Sequence, residues 1–183
     1  MTTDAGSESP ESTSFREAVH RLREGSFTAS EPFFAERADA GGRCWIVEWF
    51  EQGLFANEPE ALAEALACAC FLGQTEVARF LLNHGVDVAA GNGTGTNGFH
   101  WAANRGQLET VKLLIERRAP LEIKNMYGGT VLGMAVWSAI NEPRANHLAI
   151  IEALLVAGAK VGEAGYPTGN RAVDEVLRRC GAK

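Results

Sequence analysis

The amino-acid sequence predicts an all-α repeat protein, a solenoid of stacked helix-turn-helix units with hairpin-like loops. The main observation is a repeat period of about 33 residues through the middle of the chain, which is typical of stacks whose units bury their apolar faces only against their neighbours. Alanines, glycines and leucines recur at this period: Ala69, Ala102 and Ala135; Gly73 and Gly106; Gly95 and Gly128; Leu81 and Leu114. We therefore expect function on a surface rather than in a catalytic pocket.

The first element is a polar tail, residues 1–14. It consists mainly of Ser, Thr, Glu and Asp with Pro10, and Met1 is its single bulky apolar residue. Such a segment cannot bury enough apolar surface to order itself, so we predict disorder up to Ser14.

Residues 15–60 predict a degenerate helical capping region. Phe15 opens an amphipathic segment that ends at Gly25, and an apolar stretch from Trp45 is closed by Gly53. Because Gly53 precedes Gly85 by nearly one repeat period, the region is similar to a degenerate repeat with Gly41 in its inter-helix turn. Residues 35–40 lack the small-residue pattern of a first helix, which leaves open whether a true repeat is present.

Three clear repeats with a C-terminal cap follow over 61–183, and together with the capping region they form one continuous domain, 15–183. Small residues such as Ala102 and Ala103 allow the first helices of adjacent units to approach closely. Gly73 and Gly106 fall where the chain reverses between the two helices of a unit, a position that favours a residue without Cβ. The second helices end at glycine in two copies and at arginine in the middle copy, at Gly85, Gly158 and Arg118.

The third copy contains an insertion. Gly85 and Arg118 are one repeat period apart, whereas Arg118 and Gly158 are separated by more than one period. We place the extra residues at 140–146, between the two helices of the copy, because Pro143 stops a helix. Either a tolerated surface loop or part of a binding face fits this position.

A capping helix closes the stack at its C-terminal end. Asn170 is predicted as its N-cap, and Val173, Val176 and Leu177 should face inward. The charged residues between them supply the polar outer face that a terminal repeat requires.

The middle copy gives the chain its family resemblance. It reads Gly95-Thr-Asn-Gly-Phe-His-Trp-Ala-Ala-Asn-Arg-Gly106, followed by a helical segment with Val111, Leu114 and Ile115. Over residues 61–161 the pattern resembles the ankyrin repeat, a turn followed by two antiparallel helices. The resemblance implies a non-catalytic protein-protein interaction module, and it implies that His100 forms hydrogen bonds with neighbouring turns.

The same resemblance implies that a partner protein is met by the hairpin tips and by the exposed side of the first helices. Large amphipathic residues map to these places and are of types enriched in protein interfaces. The candidate partner-binding residues are Phe71, Trp101, Asn104, Arg105, Met126, Tyr127, Met134, Trp137 and Tyr166.

Four of these candidates come from adjacent first helices, and we expect them to line one groove below the hairpin tip that carries Tyr127. They are Trp101, Arg105, Met134 and Trp137. In the alternative interpretation, the two tryptophans are partly buried between first helices and serve packing only.

A glycine-rich hairpin, residues 91–98, offers a different class of function. Gly93 to Gly98 spell G-x-G-x-x-G, which imitates a dinucleotide-binding fingerprint and could serve a small-molecule or nucleotide-binding regulator. The flanking segments predict helices rather than the strands of a βαβ unit, which favours a simple hairpin turn. The histidines lie in different units without ligand spacing, so we predict no catalytic residues, metal or cofactor.

Composition limits the remaining possibilities. The chain of 183 residues is 46% hydrophobic with a net charge of −6, which argues against nucleic acid or an anionic membrane as the main partner. The sequence contains no apolar run of membrane-spanning length, no visible signal peptide and no disulfide spacing among its four cysteines. We expect a cytoplasmic monomer with reduced thiols.

Overall fold

Two parallel rows of antiparallel helices form the fold in the computed structural model, which describes residues 10–91 and 94–182. Within those residues there is no β-strand, and an isolated bridge pairs Gly91 with Asn97. The all-α repeat architecture is therefore confirmed. The helices are α1 Pro10–Arg23, α2 Phe27–Ser30, α3 Trp45–Glu51, α4 Pro59–Leu72, α5 Thr75–Asn83, α6 Gly98–Arg105, α7 Leu108–Glu116, α8 Val131–Asn141, α9 His147–Val156 and α10 Arg171–Arg179.

Helices α1, α4, α6 and α8 pack side by side as an inner row, and α3, α5, α7 and α9 form the outer row. Alanines line the contacts within the inner row, and Ala69, Ala102 and Ala135 are completely buried. Since an alanine side chain ends at Cβ, neighbouring helices can approach closely across these positions. The repeat period thus marks the contacts between repeats.

Residues with a left-handed backbone conformation lie between the helices, at the positions that the sequence predicts. Gly73 and Gly106 each have φ of 75°. Arg118 ends the middle copy with φ of 56° and is the non-glycine residue with positive φ in the described part of the chain. A side chain in this conformation is strained relative to glycine.

The N-terminal region differs from expectation at its start. Helix α1 begins at Pro10 and not at Phe15, so the predicted disordered tail is wrong for residues 10–14, and residues 1–9 lie outside the described part of the chain. Proline suits a helix start because it lacks the N–H that the first turn leaves unbonded. The polar composition of residues 1–14 alone therefore does not show that a helix begins at Pro10.

The residues between α1 and α3 form a long connection instead of a turn. Helix α1 lies in the inner row and ends at Arg23. Gly41 comes later in the connection, after a 3₁₀ turn at Ala38–Ala40, so it does not join two helices directly. Helix α2 lies within this connection and packs against α4. The first unit is therefore a helix pair with an inserted connection, which explains why residues 35–40 lack an inner-helix pattern.

The insertion in the third copy packs onto the preceding repeat. Helix α8 continues to Asn141, so the loop itself is 142–146 rather than 140–146. Asn146 donates its side-chain amide to the carbonyl oxygen of Gly106 at 3.2 Å, and Nε2 of His147 donates to the carbonyl oxygen of Asn104 at 3.0 Å. These bonds satisfy carbonyl groups at the turn between α6 and α7.

The C-terminal cap is confirmed. Oδ1 of Asn170 accepts hydrogen bonds from the backbone N–H groups of Ala172 and Val173, and Val173 and Leu177 are buried against the last repeat. Over residues 10–91 and 94–182, no helix is both long enough and apolar enough to cross a bilayer.

Candidate partner-binding site

A rigid loop tip stands beside the inner helices at the third repeat. Oδ1 of Asn125 accepts hydrogen bonds from the N–H groups of Tyr127 and Gly129 at 3.1 and 3.0 Å, and Gly128 has φ of 76°. The N–H of Met126 donates to the carbonyl oxygen of Thr94 in the preceding hairpin at 2.7 Å. The backbone is thus held from both sides, while the side chains of Met126 and Tyr127 remain 65% and 82% exposed.

An apolar pocket lies between this tip and helix α8. It has a volume of about 520 Å³ and is lined by Asn125, Tyr127, Gly129, Gly133, Met134 and Trp137. Helix α8 begins next to the pocket because Oγ1 of Thr130 caps it by accepting from the N–H of Gly133 at 3.1 Å. Gly133 occupies the position that His100 has in the preceding copy. Because glycine has no side chain, this position leaves space for the pocket. Trp137 forms one wall and is 50% exposed.

The side chain of Asn104 connects α6 to α8 next to the pocket. Its side-chain amide donates to Oγ of Ser138 at 2.9 Å and lies 3.9 Å from Sδ of Met134. Ser138 is fully buried. Asn104 therefore positions α8 and Met134 through its side-chain NH₂ group.

Trp101 and Phe71 belong to a separate aromatic cluster. Their ring centroids are 5.5 Å apart, and the buried ring of Phe27 contacts both, at 5.5 Å from Phe71 and 5.7 Å from Trp101. Sγ of Cys68 also contacts the carbonyl oxygen of Phe27 at 3.7 Å. Helix α2 thus packs through Phe27 on this half of the inner face.

The single groove expected across α6 and α8 is therefore interrupted. Met134 and Trp137 line the apolar pocket, whereas Trp101 and Arg105 do not. The ring of Trp101 instead packs against the rings of Phe27 and Phe71.

Two arginine side chains lie at the C-terminal end of α6, beside the aromatic cluster. The guanidinium carbon of Arg105 is 4.6 Å from the centroid of the Phe71 ring. Burial and the nearby charge of Arg144 lower the pKa of Arg105, and Glu142 acts in the opposite direction. The side chain of Arg144 comes from the insertion loop and packs at Gly106.

Tyr166 does not line the apolar pocket. It is half-buried in a polar cleft of about 500 Å³ whose lining includes Arg171, Asp174 and Arg178 from the C-terminal cap. A smaller groove, lined in part by Ala164, Gly165 and Thr168, meets the other side of Trp137. The pocket at the third repeat therefore comprises Tyr127, Met134 and Trp137 without Tyr166.

The backbone N–H groups at the start of α6, directly after the glycine-rich hairpin, are already engaged. Residues 92 and 93 lie outside the described part of the chain, so the first glycine of the G-x-G-x-x-G pattern is not placed. Oδ1 of Asn97 accepts from the N–H groups of Phe99 and His100 at 3.1 and 3.2 Å, and all three residues are buried. A phosphate group would need such N–H groups at an open helix N-terminus. Here they are occupied and covered.

The side chains of His100, Cys68 and Cys70 lie in the protein core, where they contribute to packing and hydrogen bonding. Nε2 of His100 lies 3.2 Å from the carbonyl oxygen of Gly129 in the next loop, which confirms the expected bond to a neighbouring turn, and burial lowers the pKa of His100. Burial raises the pKa of Cys68, and that of Cys70 to about 12. Both thiols therefore remain protonated and poorly nucleophilic at neutral pH. No group of three potential metal ligands occurs within residues 10–91 and 94–182.

Sequence reasoning missed two contributors to this surface, Phe27 and Arg144. Phe27 lies in the irregular first unit, outside the repeat period, and no periodic signal places it over α4. Arg144 lies in the insertion, whose position was predicted but whose packing onto Gly106 was not. The resemblance to ankyrin repeats could not identify either residue, because both fall outside the repeated pattern.

Comparison with known proteins supports the repeat assignment. A family model described as ankyrin repeats, in three copies, matches residues 66–164. A search of curated proteins found no significant match. The matched segment includes helices α6 to α9 with the whole apolar pocket.

Proposed function

This chain belongs to the ankyrin-repeat family, whose members generally act as protein-protein interaction modules, and we propose that it binds a partner protein through the apolar pocket formed by Tyr127, Met134 and Trp137. The loop tip that carries Met126 is part of the same contact. Catalysis is not part of this proposal.

The observation that carries the proposal is the exposure of large apolar side chains around a concave site. Trp137, Met126 and Tyr127 are each at least half exposed. Tyr127 and Trp137 line a pocket of about 520 Å³, and Met126 lies beside Tyr127 on the loop tip. Tryptophan, tyrosine and methionine are enriched at protein interfaces. Tryptophan and tyrosine combine a large apolar area with few rotatable bonds, whereas methionine can adapt its shape to a partner. Their clustering at one site favours recognition over packing.

The site is also organised in advance. Asn125 holds the tip, Thr130 caps α8, and Asn104 bridges α6 to α8. A partner would therefore lose little free energy to ordering this surface, which favours affinity. We further propose that the chain is cytoplasmic and monomeric. Light scattering after gel filtration would check the monomeric state.

The direct test compares two tryptophans. A partner is first obtained by pull-down with the full chain, and its affinity is then titrated against Trp137→Ala and Trp101→Ala. We expect Trp137→Ala to weaken binding by about 2 kcal/mol or more with little loss of stability, as for an interface hot spot. Trp101→Ala should mainly lower the melting temperature, because it removes a ring from the cluster with Phe27 and Phe71.

The control for this test is Lys112→Ala on the outer helix α7, where the side chain pairs with Glu109 at the surface. It should change neither affinity nor stability appreciably. Unchanged affinity of a folded Trp137→Ala variant would overturn the proposed site.

The runner-up function, a nucleotide-binding regulator that uses residues 91–98, predicts a different result. A nucleotide present at a hundred times its dissociation constant would stabilise the fold by about 2.7 kcal/mol. Because the N–H groups of Phe99 and His100 already bond to Asn97, we expect no thermal shift with NAD, FAD or ATP. A reproducible shift abolished by Gly95→Val would favour the regulator instead.

A further inference from the structure

Charge is distributed unevenly over the inner face beside the pocket. Arg105 is the one formally charged residue in the sequences of α6 and α8. The side chain of Arg144 from the insertion loop packs at Gly106, directly after Arg105, and adds a second positive charge at this end of α6. A cationic spot of this kind is unexpected in a chain whose net charge is −6.

The charge of the two guanidinium groups is not fully balanced by an ion pair within the part of the chain that the structure describes. Among the residues that the structure describes, neither Arg105 nor Arg144 forms an ion pair with a carboxylate. Glu142 is close enough to affect Arg105 electrostatically. Stacking on the ring of Phe71 holds the Arg105 guanidinium in place while leaving its N–H edges available.

We propose that the partner segment is an acidic peptide that places one large apolar side chain in the pocket of Tyr127, Met134 and Trp137 and a carboxylate on Arg105 and Arg144. The inference rests on the proposed function and names the chemistry of its partner. Guanidinium groups bind carboxylates through paired N–H donors, so an Asp or Glu side chain matches this spot.

The experiment selects peptides without assuming a natural partner. Random twelve-residue peptides displayed on phage are panned against the full chain, and an enriched peptide is synthesised in two forms, with its acidic residue and with the matching amide. The acidic form should bind the unchanged protein at least about fivefold more tightly than the amide form, as expected for charged pairs at the edge of a hot spot.

Three variants then separate the contributions. The preference for the acidic form should fall below about twofold in Arg105→Gln and in Arg144→Gln, and it should persist in Arg79→Gln on the outer helix α5. Trp137→Ala should weaken both peptide forms alike. As a check independent of folding effects, Arg105→Glu should prefer a peptide in which lysine replaces the acidic residue.

The outcomes distinguish the two claims. Equal binding of the acidic and amide forms, together with loss of both in Trp137→Ala, would overturn the acidic partner and leave the proposed function standing. Binding that ignores Trp137, or the absence of any enriched peptide, would overturn the proposed function and this inference with it.

Discussion

Nε2 of His147 lies 3.0 Å from the carbonyl oxygen of Asn104, and this bond reproduces one made in the preceding repeat. There the side-chain amide of Gln107 donates to the carbonyl oxygen of Phe71 at 3.2 Å. Phe71 and Asn104 are one repeat period apart and occupy the same place before the inter-helix glycine. Gln107 directly follows its glycine turn, whereas His147 reaches the equivalent carbonyl from the far end of the insertion.

Replacing His147 should therefore destabilise the stack, and the effect should depend on pH. Nδ1 of His147 accepts from the N–H of Arg144 at 3.1 Å while Nε2 donates, so the neutral ring satisfies both bonds. His147→Ala should cost about 1–3 kcal/mol at pH 7, because it leaves a part-buried carbonyl without its partner. His147→Gln should retain most of the stability by restoring the bond that Gln107 makes. Urea unfolding measures both.

The sign of the pH effect follows from the environment of His147. Burial lowers its pKa below 6.5 in the folded state, so the unfolded chain takes up a proton first as pH falls. Its contribution to stability is complete above about pH 6.5 and declines below that value. Between pH 7 and pH 5 the His147→Gln variant should lose less stability than the unchanged protein. An identical loss in both proteins would contradict the neutral ring.

Glu64 should have the opposite pH dependence. Its side chain is buried in α4, Oε2 has no hydrogen-bond partner among the described residues, and burial raises its pKa to about 7. As pH rises from about 4.5 to about 7, the unfolded chain loses its proton first, so stability falls over this window. We expect Glu64→Gln to add on the order of 2 kcal/mol at pH 8 and little at pH 4. Melting temperatures at both pH values measure this, and the exposed Glu60→Gln in the same helix is the control.

Arg118 offers a stabilising substitution. Because its φ of 56° lies in the left-handed region, Arg118→Gly should raise stability by about 1 kcal/mol, which corresponds to a few degrees in melting temperature. The neighbouring Arg117→Gly is a matched control. Arg117 has φ of −82° and bonds to Asn83, so glycine there should destabilise the protein. A decrease in melting temperature for Arg118→Gly would show that its side chain contributes contacts that outweigh the backbone strain.

Gly98 should tolerate no side chain, because α6 begins directly against α4. A Cβ added at Gly98 would lie 2.8 Å from Sγ of Cys70, which is fully buried. Gly98→Ala should cost about 1–3 kcal/mol through overpacking. In a double-mutant cycle by urea unfolding, Cys70→Ala should recover part of that loss, since it removes the obstructing sulfur. Gly162→Ala, where an added Cβ meets no atom within 4 Å, serves as the control, and strict additivity in the cycle would falsify the clash.

The repeated core could be predicted from the sequence, whereas the irregular surface could not. Ala69, Ala102 and Ala135 indicate the inner row because the same packing constraint recurs at each interface. The exposed positions of Tyr127 and Trp137 also follow from their register. The contact of Phe27 with Trp101 depends on a connection found once in the chain, so no repetition reveals it. Packing of this kind is a long-range property that a periodic pattern does not encode.

The aromatic cluster of Phe27, Phe71 and Trp101 has a consequence for how long a partner stays bound. Since α2 packs through Phe27 on the inner face at α4, a partner has access mainly to α6, α8 and one loop tip. A standard stable interface involves about 20–30 residues on each side, and smaller contacts are typical of transient encounters. We therefore expect a micromolar complex that dissociates within about 0.1–10 s, suited to repeated exchange of partners rather than to permanent assembly.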